Sequence, residues 1–153
     1  MFQPGVSLIA IPPGFYFRQL RPSDIEELKE LHRALFPIDY EHEFYEKAVN
    51  GRDGIIGWIL VDKRDMESGE ESVAGFVTVR VQNLEDCDEM ERELLGWTML
   101  EHLMPWRRKG KQLVYILTLG VKECYRKSGL GRALIQQVQL STLKIMNRTV
   151  SSI

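Results

Sequence analysis

The stretch "VYILTLGVKECYRKSGLGRALIQQV", Val114 to Val138, constrains this chain more than any other. It begins as a dense run of β-branched and aromatic residues, the composition of a buried strand. It ends with Leu130, Leu134 and Val138, continued by Ile145, recurring at the spacing of one helix face. Between the two lie Gly129 and Gly131, and glycines at a strand-to-helix turn remove side chains where the backbone must approach something closely. The first N–H groups of such a helix have no intrahelical acceptor, and its dipole adds partial positive charge there. Arg126, Lys127 and Arg132 crowd the same turn, so it suits an anion of the pyrophosphate kind. The spacing is neither GxGxxG nor GxxxxGK[ST], which removes the main support for a Rossmann or P-loop fold. Taken alone, R-x-x-G-x-G is as readily a plain turn as an anion cradle.

The positive turn is local, because the 153-residue chain carries a net charge of −2 and so has no overall pull toward nucleic acid. The basic run "RRKGK" has no stacking platform beyond Trp106, and no nucleic-acid partner is expected. Cys87 and Cys124 make neither a CxxC nor a metal-ligand spacing with His32, His42 or His102, which points to no metal and to reduced thiols in a cytosolic compartment. No apolar run reaches the length of a membrane span, and the opening "MFQPGVSLIAIPPGFYF" lacks the form of a signal peptide.

The remaining segments supply one mixed α/β domain. "FYFRQL" alternates as a half-buried strand, with Phe15 and Phe17 on one face. Ser23 is placed to cap the helix that follows, with Glu26 closing a capping box and Ile25, Leu28, Leu31, His32 and Leu35 facing inward until Pro37. "EHEFYEKAV" reads as a short helix stopped at Asn50 and Gly51. "GIIGWILVDK" and "SVAGFVTVRV" read as an antiparallel hairpin. Leu84 to Met104 reads as an acidic surface helix to which no chemistry is assigned. The order is β-α-α-β-β-(α)-β-α, and no internal repeats appear.

"RKSGLG" after "YILTLGV" resembles the acetyl-CoA signature of the GNAT acetyltransferases, and "LFPIDY" ahead of "FY" resembles their N-alpha-acetyltransferase branch of the NatF type, next to the NatE catalytic subunit. The resemblance covers about residues 15–145 and implies a GNAT fold, with residues 1–14 as an arm, a domain from 15 to 153 and an acidic and basic insertion at 83–112. It implies acetyl-CoA as co-substrate, with backbone groups of Leu119, Gly120 and Val121 on the pantetheine arm. Main-chain amides of Lys127, Ser128, Gly129, Leu130, Gly131 and Arg132 would hold the pyrophosphate, side-chain identity mattering least at Leu130. Phe36 and Tyr40 would flank the first residue of an acceptor protein N-terminus, with Asp39 near its amine and Leu117 as an apolar wall. Tyr115 matches the family's catalytic tyrosine.

The family's catalytic histidine, on the next strand, has no match: His32, His42 and His102 all precede the motif helix. The resemblance therefore implies a domain that stops before its partner strand and C-terminal elements, leaving the edge of Val114 to Val121 open to another chain. Two functions follow. One is acetylation of Met-starting protein N-termini, with histone lysines as secondary acceptors. The other is a catalytically impaired, truncated form that binds CoA or a protein partner. NatF-type relatives reach Golgi or other membranes through C-terminal segments absent here, so the expected location is the cytosol.

Overall fold

The computed structural model describes residues 11–64, 71–88, 90–91 and 111–150, and of 145–150 the backbone alone. Its elements are β1 (Phe15–Gln19), α1 (Ile25–Leu35), α2 (His42–Asn50), β2 (Ile55–Asp62), β3 (Ser72–Asn83), β4 (Gln112–Val121) and α3 (Leu130–Val150), in the order the sequence predicts. The expected acidic helix at Leu84 to Met104 lies almost wholly outside the described residues; its described start is a 3-10 turn, Leu84–Asp86. No helix among the described residues is long and apolar enough to cross a membrane.

The four strands form one sheet in the order β1-β2-β3-β4, every neighbouring pair antiparallel. β2 is apolar almost throughout because both of its faces are covered. On one face Ile59, Val61, Val73 and Phe76 meet Leu28, Leu31, Tyr45, Ala48 and Val49 of α1 and α2. On the other, Trp58, Leu60, Ala74, Val77 and Val79 meet Leu130, Leu134 and Val138 of α3, and Phe15 and Phe17 join this side. The helix-face reading of α3 therefore holds at its three described core positions.

Two details position the site. Thr78 pairs with Thr118 while Val79 pairs with Ile116, so Leu117 has no opposite number and β4 carries a bulge there. At the start of α1, Asp24 stands in the N-cap position where Ser23 was expected, because Pro22 opens a 3-10 turn, Pro22–Asp24, just ahead of the helix. The Asp24 carboxylate accepts the Arg21 backbone N–H at 2.6 Å and two guanidinium N–H groups of Arg18 at 2.8 Å. Burial alone would push that carboxyl up, but the bonds from Arg18 and Arg21 outweigh it and hold it below the usual carboxylate range.

Candidate active site

β4 leaves the sheet at Val121, where the Lys122 N–H donates to the Ala74 carbonyl at 2.9 Å. A 3-10 turn over Glu123–Tyr125 follows, tied by Tyr125 N–H to Lys122 O at 2.9 Å and Arg126 N–H to Glu123 O at 3.1 Å. The Arg126 Nε donates back to Val121 O at 3.2 Å, and the Ser128 hydroxyl donates to the Tyr125 carbonyl. Lys127 and Gly129 then take positive φ, +60° and +81°, which reverses the chain into α3. The first helical bond is Ala133 N–H to Gly129 O at 3.1 Å, so the amides of Leu130, Gly131 and Arg132 precede it without an intrahelical acceptor.

A Cβ added at Gly129 or Gly131 would meet nothing within 4 Å, so the outer face of this turn is open space. Arg126, Lys127, Ser128 and Arg132 are exposed beside it. A phosphate group fits this arrangement of donors, positive charge and room. Leu130 corrects one expectation: its side chain is 1% exposed and packs with Leu134 and Val138, so its identity fixes where α3 starts.

Leu119 and Val121 are half-buried on the α3 side of β4, while Gly120 faces α1. A Cβ on Gly120 would come within 2.7 Å of Leu35 Cδ1 and Phe76 Cε1, so packing alone accounts for glycine there. β4 is the outermost strand of the described sheet, and one backbone edge of residues 119–121 faces away from β3.

At the bulge Leu117 is 37% exposed beside Ile116 at 48%. Tyr115, paired with Arg80 across the sheet, is half-buried. Loss of water, then the Glu91 carboxylate and Cys87, pushes its phenol above the usual range, so it is a protonated hydrogen-bonding group at neutral pH.

The loop after α1 holds Phe36 and Tyr40 half-buried, their rings 5.4 and 5.2 Å from the ring of His32. Asp39 is exposed, 3.9 Å from Arg33. His32 is wholly buried; its Nδ1 lies 2.8 Å from the Leu28 carbonyl and its Nε2 3.1 Å from Thr118 Oγ1, which lies 2.6 Å from Thr78 Oγ1. The structure thus joins Phe36 and Tyr40 to the residue beside Leu117, through a histidine that helical spacing marks as inward-facing but to which no role was given. Thr118 and Thr78 carried no sequence signal beyond their place in strands. The remaining described histidine, His42, sits near Glu46 on the surface of α2.

Burial pushes the His32 imidazole below its ordinary value, against the opposing effect of the Leu28 carbonyl. A histidine with a folded-state pKa below about 6.5 binds fewer protons folded than unfolded. Its contribution to stability is intact above that value and is lost as pH falls toward the lowered one. Melting temperatures are therefore expected to fall as the pH is taken from about 6.5 to about 5. Asp24 adds acid sensitivity only below about 3.8. A His32→Gln variant that keeps the full drop between pH 6.5 and 5 would contradict this assignment.

The pattern of the Acetyltransferase (GNAT) family matches residues 25–139. The chain is 35% identical over 132 residues to histone acetyltransferase MCC1 of Arabidopsis thaliana, covering 85% of this chain and 49% of that protein. It is 28% identical to N-alpha-acetyltransferase 60 of Drosophila melanogaster, over 77% of this chain and 45% of that one. The chain therefore spans about half the length of the curated relatives it matches. Among solved structures, Arabidopsis thaliana NAA60 in complex with acetyl-CoA superposes with a TM-score of 0.65 at 40% identity, over 81% of this chain and 65% of that one. The antiparallel sheet covered by helices on both faces, the glycine turn at the head of α3 and these matches agree: the chain belongs to the GNAT acetyltransferase family.

Proposed function

We propose that this chain forms the acetyl-CoA-binding part of a protein N-terminal acetyltransferase, acting on the α-amine of Met-starting protein N-termini in the cytosol, with histone lysines as secondary acceptors. The observation that carries the reading is the turn of residues 127–132, where helix-start amides, positive side chains and open space coincide. The likeness to a relative named an N-alpha-acetyltransferase and to a structure solved with acetyl-CoA supports it; the name of the MCC1 relative supports the histone acceptor.

Bound acetyl-CoA supplies an acetyl group activated as a thioester, and transfer to nitrogen forms an amide and leaves the CoA thiol. The amides of Lys127 to Arg132 take the pyrophosphate, and the backbone of Leu119, Gly120 and Val121 takes the pantetheine arm. Phe36, Tyr40 and Leu117 enclose the first acceptor residue, with exposed Asp39 attracting its ammonium form. Only the neutral amine attacks. An α-amine near 7.8 is freed more cheaply than a lysine near 10.4, a difference of roughly 3.5 kcal/mol at neutral pH, so N-termini are preferred. Tyr115, a phenol at neutral pH, orients the amine and passes its proton to water.

A second reading, a non-catalytic module that binds CoA or pairs with another chain, is favoured by the outward edge of β4. Calorimetry with acetyl-CoA and an acetylation assay on a Met-starting peptide separate the two. Binding with turnover supports the enzyme, and binding without turnover supports the module. No heat with acetyl-CoA removes the enzyme and the CoA-binding module and leaves only pairing through the β4 edge. Gly131→Glu sharpens the assay: the added side chain meets open space, so melting should be unchanged, yet its carboxylate enters the phosphate site and should weaken acetyl-CoA binding at least about tenfold. Unchanged affinity would place the pyrophosphate elsewhere.

A further inference from the structure

Beneath the acceptor loop a polar chain crosses the core. The Leu28 carbonyl can only accept, so the His32 Nδ1 carries the proton and the Nε2 is an acceptor. The Thr118 hydroxyl must then donate to Nε2 at 3.1 Å, and the Thr78 hydroxyl to Thr118 Oγ1 at 2.6 Å. Every link runs one way, and each member is buried. Aromatic side chains surround the imidazole: Phe36 and Tyr40 of the loop, Phe44 and Tyr45 of α2, and Phe76 of β3 lie 4.6 to 5.9 Å from it, centroid to centroid.

The two threonines are the pair at which the β3–β4 register shifts, and Leu117 is the residue that the shift leaves over. One ring therefore touches both the loop and the bulge. An apolar side chain of similar size would fill this space but would accept no bond from Thr118, leaving two buried hydroxyls to rearrange.

We infer that His32 is a positioning residue: through Thr118 and Thr78 on one side, and Phe36 and Tyr40 on the other, it sets the spacing between the acceptor loop and the β4 bulge. The inference rests on the acceptor role proposed above for that loop. Its expected signature is selective for the peptide, because the turn at residues 127–132 belongs to the opposite, α3 side of the sheet.

The test uses Thr118→Val, which keeps the shape and removes the hydroxyl, and Thr118→Ser, which keeps the hydroxyl. Thr118→Val should raise the KM for a Met-starting peptide at least about fivefold and leave the KM for acetyl-CoA within about twofold, and Thr118→Ser should restore the peptide value. Combining Thr118→Val with His32→Phe should add little to His32→Phe alone, because both cut the same bond. An NMR arm needs no turnover: imidazole nitrogen shifts should report the Nδ1–H neutral form, and Thr118→Val should move the amide signals of Phe36, Ile38, Asp39 and Tyr40 together with Leu117. If Thr118→Val proves unfolded, Thr118→Ser and His32→Gln carry the same NMR comparison. An Nε2-protonated ring, or loop amides that stay in place in a folded variant, overturns the inference. An inactive wild-type chain would instead overturn the acetyl-transfer reading, and the loop signals would still decide the role of His32.

Discussion

Tyr115→Phe is expected to lower turnover of a Met-starting peptide by about 10²–10⁴-fold while binding acetyl-CoA as the wild type does. The hydroxyl is the only group removed, and β4 keeps its pairing with β3 from Gln112 to Val121 because that ladder is made by backbone atoms. The melting temperature should stay close to that of the wild type, because the hydroxyl exchanges a protein partner for water. The chemistry lost is larger. A phenol held above its usual pKa by lost hydration and the neighbouring Glu91 is a poor base but a good partner for orienting an amine and the water that takes its proton. Single-turnover rates, melting temperature and calorimetry on one preparation separate these effects. A Phe variant within about threefold of the wild-type rate would move proton handling to another group.

The parts of this site that were legible in the sequence are those made by neighbours along the chain. The turn from β4 to α3 could be read because apolar density, two glycines and helical spacing lie within a single run, and Leu134 and Val138 fell where that spacing put them. The β2–β3 hairpin was legible for the same reason. Leu130 has two roles at once: its backbone N–H lies at the open turn, while its side chain is the first of α3 to enter the core, as the helical spacing predicts, so its identity does matter.

What the sequence hid depends on distant pairings. The bulge at Leu117 exists only relative to Thr78 and Val79 on the facing strand, and no property of Leu117 announces it. His32 is separated by 86 residues from the threonine it bonds. The 3-10 turn that Pro22 opens puts Asp24 in place of Ser23 at the head of α1, and Arg18, on β1, binds the Asp24 carboxylate there, a partner that capping patterns read along one segment do not include.

Phe76→Ala is expected to cost about 3–5 kcal/mol, the range for removing a large buried aromatic side chain, and to impair the site as well as the fold. The Phe76 side chain is wholly buried on β3. Its ring lies 4.6 Å from that of His32 and 6.3 Å from that of Phe36, and it fills the space that a Cβ on Gly120 would need. The cavity would therefore open beneath the acceptor loop and beneath the β4 segment proposed for pantetheine. Leu134→Ala is the comparison: it is equally buried but on the α3 face, and should cost about 2–5 kcal/mol without touching His32. Urea unfolding gives the two stabilities, and the imidazole shifts of His32 distinguish the sites. Phe76→Ala should move those shifts and Leu134→Ala should leave them in place. If both variants moved them alike, the two faces of the sheet would be one coupled core, and the separation of cofactor turn from acceptor loop on which the site is built would fail.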